Sequence, residues 1–457
     1  MSRFVRPSKY RHVFGTAAKR ELGYDNVKVS GNAWDSNLIK VNTKFFSLNW
    51  NSGGGGAFAV IPLTMTGKIA DNLPMYRGHS AAVLDTDFSP FNDYLIASAS
   101  EDSKVFIYSI PEELGEDDID PVVRLTTHGR KVGQVLFNPV AENVLLSAST
   151  DLTMKLWDIE KGTEKQTITG HLEIIQGVTW NYNGTLVATT CRDKKLRIFD
   201  VRSNKIVAHA DSHPGVKGSR VVWMGDSNRL ATTGFSKMSD RQLNIWDTEN
   251  IEKPLRSSNI DTSSGVIMPF YDGDSNMLYL AGKGDGNIRY YEYENDELFT
   301  LSEFTSQPQR GIGFMPKRGL NVNECEIARA YKVSNHFVEP ISFTVPRKAD
   351  SFQSDIFPDC ASDEPALTAD AWFNGETANP KLMSLEKGYT PMVKKEFVVS
   401  AAAQVAEEVV VLPKNDKEYQ EAYHKLRQEN EDLKNQLAQK DVKIRLLEVQ
   451  LEQLHSS

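Results

Sequence analysis

The stretch Ser147-Ala148-Ser149-Thr150-Asp151-Leu152-Thr153-Met154-Lys155-Leu156-Trp157-Asp158 decides the fold. Small residues lead into an aspartate, and six residues beyond it stands an aromatic followed by an acid. Aspartate favours a tight turn because its side chain bonds the backbone two residues on. The flanks therefore read as two short strands of a hairpin, with period-two alternation carrying Trp157 onto a buried face.

Four more segments line up on this one. They pair Asp102 with Tyr108, Asp193 with Phe199, Asp240 with Trp246, and Asp285 with Tyr291, always six residues apart. The five aromatics recur at intervals of 49, 42, 47 and 45. Such a period, with an aromatic-acid ending, marks WD-repeat propellers, in which each repeat supplies the four strands of a blade. A histidine lies upstream of four of the aspartates: His79, His128, His171 and His213, by 23, 23, 22 and 27 residues. In propellers of this kind the histidine, a strand Ser or Thr, the aspartate and the Trp indole form a hydrogen-bonded chain inside the blade. His79, Asp102, His128, Asp151, Trp157, His171, Asp193, His213, Asp240, Trp246 and Asp285 are the expected members. A catalytic Ser-His-Asp set would occur once, whereas this one recurs with every repeat, so it reads as a structural device.

Two atypical blades complete the count. Lys44 to Trp50 and Ala57 to Ile61 read as strands joined at Asn51 to Gly56, with a third near Leu73 to Tyr76. The glycine run 53–56 lacks the Gly-Lys-Ser/Thr of a phosphate loop and reads as a hairpin tip. Segments 310–314, 325–331 and 340–345 supply three strands of a seventh blade, and Tyr10-Arg11-His12-Val13-Phe14 is the expected fourth, closing the ring. The fold class is thus all-β, a seven-bladed WD-repeat propeller over residues 1–346.

Beyond the propeller, residues 347–393 are punctuated by prolines but carry Phe352, Phe357, Trp372 and Phe373 as anchors, and read as an extension packed on the ring. Residues 394–414 read as a linker. From 415 to 457 the pattern is a coiled coil: Tyr423, Leu437, Ile444 and Leu451 occupy one core position, and Tyr419, Leu426, Leu433, Leu447 and Leu454 the other. Asn430 and Lys440 interrupt this seam. The expectation is self-association, as a dimer or a trimer.

With 52 Lys and Arg against 61 Asp and Glu, the net charge of −9 argues against nucleic-acid binding. Residues 1–28 run the other way, with seven cations against Glu21 and Asp25, and suit an acidic partner. No apolar run is long enough to span a bilayer and no secretory signal opens the chain, so it reads as cytoplasmic. Cys191, Cys325 and Cys360 lack metal-ligand spacing and suit a reducing compartment. No lone nucleophile with a base, metal cluster or nucleotide loop is legible, so neither an enzyme nor a cofactor is expected.

Several blocks in order resemble the coronin family: Ser8-Lys9-Tyr10-Arg11-His12-Val13-Phe14-Gly15, Ala33-Trp34-Asp35-Ser36, Gly282-Lys283-Gly284-Asp285, Pro308-Gln309-Arg310-Gly311, Cys325-Glu326-Ile327-Ala328-Arg329 and Val345-Pro346-Arg347-Lys348. The short linker resembles compact, short-tailed members. The resemblance implies filamentous-actin binding by the propeller and a place at the actin cytoskeleton and cell cortex. It also implies regulation, through the tail, of the branched-actin nucleating complex of actin-related proteins, and cooperation with cofilin. It puts filament contact at Lys28, which stands where other members carry arginine; Lys19 and Arg20, in the same basic leading segment, are expected to bind actin with it. Lys443-Ile444-Arg445-Leu446-Leu447-Glu448 resembles a trimer-favouring family motif with lysine at its leading position. The competing reading is a general WD-repeat scaffold without direct actin binding.

Overall fold

A computed structural model of the chain describes residues 6–53, 55–347, 351–391 and 393–400, together with positions 423, 427 and 434. It divides into two units, Met1–Gln404 and Val405–Ser457. The first holds a seven-bladed β-propeller, with six four-stranded sheets and a six-stranded one.

The repeat stretch folds as the hairpin its spacing predicts. Val144–Ser149 and Met154–Asp158 pair antiparallel, flanked by Val132–Phe137 and Thr163–Ile168, and together make blade 3. Val144–Ser149 is buried at every position because neighbouring blades cover both faces of the sheet, whereas Thr163–Ile168, at the rim, is exposed or half-buried at every position but Ile168. Polar rim strands of this kind protect the sheet edges from pairing with other chains. Blades 2, 4, 5 and 6 repeat the order from Val83, Ile175, Arg220 and Ile267.

Blade 1 has an inner strand that the sequence pattern did not mark, Ile39–Val41, followed by Phe45–Asn49, Gly56–Pro62 and Tyr76–His79. The last replaces the strand expected near Leu73 to Tyr76.

Blade 7 joins the two ends of the propeller. Gly311–Phe314, Glu326–Val333 and Phe337–Thr344 are completed by Phe14–Ala17, which pairs antiparallel with Phe337–Thr344 from Phe14 opposite Thr344 to Ala17 opposite Ile341. This corrects the expected closing strand, residues 10–14, which shares only Phe14 with it. The residues before Phe14 are spent on a turn: the Val13 amide donates to the Tyr10 carbonyl at 3.0 Å, and both side chains are buried in the core with Tyr279, Tyr290 and Phe343. Gly15 allows the close approach that closure needs, because a Cβ there would stand 3.0–3.1 Å from Phe304 and Phe343.

After blade 7 the chain crosses the face formed by the loops between first and second strands. Ile356, Phe357, Cys360 and Leu385 are buried in the core cluster of blades 6 and 7. Trp372, wholly buried on a short helix, Ala369–Phe373, packs at 6.0 Å from Trp180, and its indole donates to the Gly184 carbonyl at 3.0 Å. Phe397 and Val399 pack on the core shared by blades 2 and 3, so contact with the ring extends into the stretch read as linker.

Candidate functional site

The opposite, upper face carries the turns between second and third strands and the loops entering each blade, which places the recurring histidines and aspartates there. In blade 3 the full chain is assembled: His128 Nδ1 lies 2.8 Å from Asp151, its Nε2 lies 2.7 Å from Ser147 Oγ, and the Trp157 indole donates to the same Oγ at 2.8 Å. Blade 2 keeps His79, with Asp102 at 2.9 Å and Ser98 at 2.7 Å, while Phe106 stacks on the imidazole at 4.2 Å. Burial pushes the Asp102 and Asp151 carboxyls up, but hydrogen bonds from the histidines and nearby backbone amides outweigh it and hold both below the usual range.

Three expected members are diverted. Asp193 is taken bidentately by Arg197, at 2.6 and 3.0 Å, and His171 keeps only Thr189, at 2.9 Å, leaving its Nδ1 unpartnered. Asp240 sits in a longer turn and accepts from Ser236 at 2.9 Å, so His213 bonds Thr232 at 2.9 Å, which also receives the Trp246 indole at 2.8 Å. Asp285 has no histidine; it pairs at 2.7 Å with the buried Arg241, which also grips Asp261. The duty shared across blades 2, 3 and 4 is the turn itself. Asp102, Asp151 and Asp193 each accept from the amide two residues on at 3.0 Å, and the residue between them takes φ of 67–72°.

The basic leading segment forms a ribbon across the seam of blades 7 and 1. Tyr24–Asp25 pairs antiparallel with Val338 and Phe337 of blade 7 and parallel with Gly67–Lys68 beside blade 1. Gly23 precedes it because a Cβ there would overlap the Phe337 ring. The Asn51 amide donates to the Lys28 carbonyl at 2.8 Å, holding the ribbon to blade 1. Lys19 caps the 3₁₀ turn Arg20–Leu22 and is exposed; the Arg20 side chain is 84% exposed, with Asp25 at 3.5 Å. Lys28 is half-exposed with Asp71 at 3.8 Å. A hydrogen bond from Asn26, helped by Lys28, holds the Asp71 carboxyl below its ordinary value. The structure thus carries all three cations on one ribbon stitched into the sheet.

Further along, the ribbon crosses to the mouth of the central channel. The Trp34 indole donates to the Gly133 carbonyl at 3.1 Å, Lys131 sits 5.0 Å over the ring, and Lys283 donates to the Trp34 carbonyl at 3.3 Å. Lys283, Arg310 and His336, which meet beside Trp34, were not singled out as site residues. The quoted blocks around Lys283 and Arg310 lie far apart in the chain, and nothing in their spacing joins them.

Of the oligomerisation residues, Tyr423 is helical and 62% exposed, and positions 427 and 434 are helical. Leu426, Asn430, Leu433, Leu437, Ile444, Leu447, Leu451 and Leu454 lie outside the described residues. Among the described residues no helix is long and apolar enough to cross a membrane, and no group of His, Cys, Asp and Glu is placed to hold a metal.

Comparison with known proteins bears on this geometry. Residues 3–68 match a domain of unknown function, DUF1899, which takes in the closing strand and the ribbon. Residues 71–109 and 162–200 match the WD domain G-beta repeat, and 338–380 match a type of WD40 repeat. The chain is 54% identical over 402 residues to a coronin-like protein of Saccharomyces cerevisiae, an alignment covering 85% of this chain but 62% of that one. It is 48% identical over 451 residues to coronin-A of Dictyostelium discoideum, covering 98% of this chain and 100% of the relative. The crystal structure of the WD40 domain of Toxoplasma gondii coronin superposes with a TM-score of 0.78 at 32% identity, over 82% of this chain and 97% of that one. With a relative of nearly half-identical sequence matched from end to end, and a solved coronin propeller of the same architecture, this chain belongs to the coronin family.

Proposed function

We propose that the chain binds filamentous actin through the seam ribbon, with Lys19, Arg20 and Lys28 as the contacting cations. The observation that carries the reading is their placement. In a chain of net charge −9, three exposed or half-exposed cations project from one backbone ribbon hydrogen-bonded to two blades. A fixed basic ribbon attracts an acidic surface without first having to be ordered. Each propeller binds weakly in this reading, and the coiled coil of residues 415–457 joins propellers so that they engage neighbouring filament subunits or cross-link filaments. Such linkage raises apparent affinity about 10²- to 10⁴-fold without a new contact. Family membership extends the reading to regulation of the branched-actin nucleating complex through the tail, to cooperation with cofilin, and to a place at the cytoplasmic actin cortex.

Cosedimentation with actin filaments tests it. A chain ending at Gln404 keeps the whole first unit. It should be monomeric and cosediment at least tenfold more weakly than the full chain. Undiminished binding by the shorter chain removes the avidity mechanism, and absence of binding by the full chain returns the protein to the class of general scaffolds.

A further inference from the structure

Between the ribbon and blades 6 and 7 the upper face opens into a cleft of about 690 Å³, walled by Arg20, Trp34, Lys283, Arg310, His336 and Phe337. We propose that this cleft binds an acidic peptide segment of a partner protein, its carboxylates meeting Lys283 and Arg310 and its apolar side chains lying against Trp34 and Phe337. This assignment is independent of actin being a partner.

The argument begins from charge. Lys283 is largely buried, and its nearest carboxylate, that of Asp35, stands 3.6 Å away. Arg310 donates to the Ser30 carbonyl at 2.6 Å and, among the described residues, has no carboxylate within 4.0 Å. Burial pushes Lys283 down to about 8; Asp35 acts against this, and Arg220 and Arg310 add to it by repulsion. Asp25 is the only carboxylate among the residues lining the cleft, and it is already engaged by Arg20 and by the Asn26 amide. The deep part of the cleft therefore has cations crowded together with too few anions, and a carboxylate entering it gains charge-assisted hydrogen bonds while relieving the crowding. The rim, with exposed Arg20, extends the same sign of potential outward, and exposed His336 stands beside it.

Size and walls favour a peptide over a lone anion. The volume falls in the range that holds drug-sized ligands, and two aromatic walls offer apolar contact that an inorganic anion does not use. Trp34 is held in place by its bond to Gly133 and Phe337 by strand pairing with Asp25, so the walls are formed before a ligand arrives.

The test uses the full chain and the fluorescence anisotropy of a dye-labelled peptide rich in Asp and Glu and carrying one Phe. Its control is the same peptide with Asn and Gln in place of the acids. The acidic peptide should bind and the neutral one should be at least about tenfold weaker. Lys283→Met should abolish binding. Since that lysine is largely buried, His336→Glu, on an exposed rim residue, provides the second arm: about a tenfold loss with an unchanged melting temperature. Equal affinity for both peptides, no binding of either, or indifference to His336→Glu overturns the proposal. Inorganic pyrophosphate binding more tightly than the acidic peptide overturns it too, and marks a free-anion site instead. Actin cosedimentation of Lys28→Asp, which leaves the cleft intact, separates this outcome from failure of the filament reading.

Discussion

His128 and Asp151 stand 2.8 Å apart, with the imidazole and the Trp157 indole converging on one Ser147 hydroxyl. Every polar group in this chain has a partner, so removing a member takes a bond from its neighbours. Trp157→Phe keeps an aromatic side chain but deletes the indole donor and leaves space at a buried position, and should cost about 1–2 kcal/mol. His128→Ala removes a buried ring and takes one bond each from the Ser147 hydroxyl and the Asp151 carboxylate, and should cost about 2–3 kcal/mol. Urea denaturation should rank the two variants in that order. Equal losses would show that the histidine and indole bonds contribute alike.

The neighbouring blades make a different prediction, about acid. Burial pushes His213 down to about 4, and burial together with Arg197 does the same to His171, so both are neutral in the folded protein at pH 7. In the unfolded chain they titrate near 6.5. Between these values the unfolded chain binds more protons, so the histidines' contribution is complete above about pH 6.5, declines as pH falls, and is gone below about 4. Asp85, pushed up to about 6 by burial, and Asp274, also pushed up, work in the opposite sense, so the histidines must be read by difference. The stability gap between the parent chain and His213→Gln should shrink by on the order of 2–3 kcal/mol from pH 7 to pH 4. A constant gap would show that His213 titrates normally.

Trp372 ties the extension to blades 3 and 4 from a wholly buried position. Trp372→Ala should cost about 3–5 kcal/mol at that contact. Because the contact joins an appended segment to a ring closed without it, the loss should appear first as protease cleavage within residues 351–391, with the propeller's own melting changed less. Unaltered protease resistance would show that the Ile356 and Phe397 contacts hold the segment unaided.

Lys28→Asp should weaken actin cosedimentation about tenfold or more while leaving thermal unfolding nearly unchanged, because the side chain is half-exposed and its ion pair with Asp71 spans 3.8 Å. Lys28→Arg should bind at least as well as the parent, since a guanidinium adds bidentate geometry at the same charge. Normal binding by the aspartate variant would place filament contact elsewhere on the ring.

Blades 2, 3 and 4 were legible because they share one turn: an aspartate that bonds the backbone two residues on leaves a fixed offset to the next buried aromatic. Blades 5 and 6 keep the six-residue offset from Asp240 to Trp246 and from Asp285 to Tyr291, with other partners for the aspartate. What the offset does not carry is the partner of that aspartate. Arg197 competes for Asp193 from the adjoining strand, and no spacing rule distinguishes a strand arginine that points at the turn from one that points at water. The ends of the ring were harder for another reason. Ile39–Val41 and Phe14–Ala17 are short, and strands of three or four residues show too little alternation to separate from loop. The ribbon's cations could be read as a charge excess, whereas the cleft joins Arg20, Lys283 and Arg310, which only the closed ring brings together.

Ring closure by Phe14–Ala17 also sets a timetable for biosynthesis. The strand leaves the ribosome first, but its partner, Phe337–Thr344, is among the last parts of the propeller to emerge. At roughly 5–20 residues per second, the interval is on the order of tens of seconds. Throughout that time the closing strand lacks its partner and the last completed blade presents a face that its neighbour has yet to cover. Protection by a chaperone matters most in this window, and a translational pause placed after Thr344 would favour correct closure.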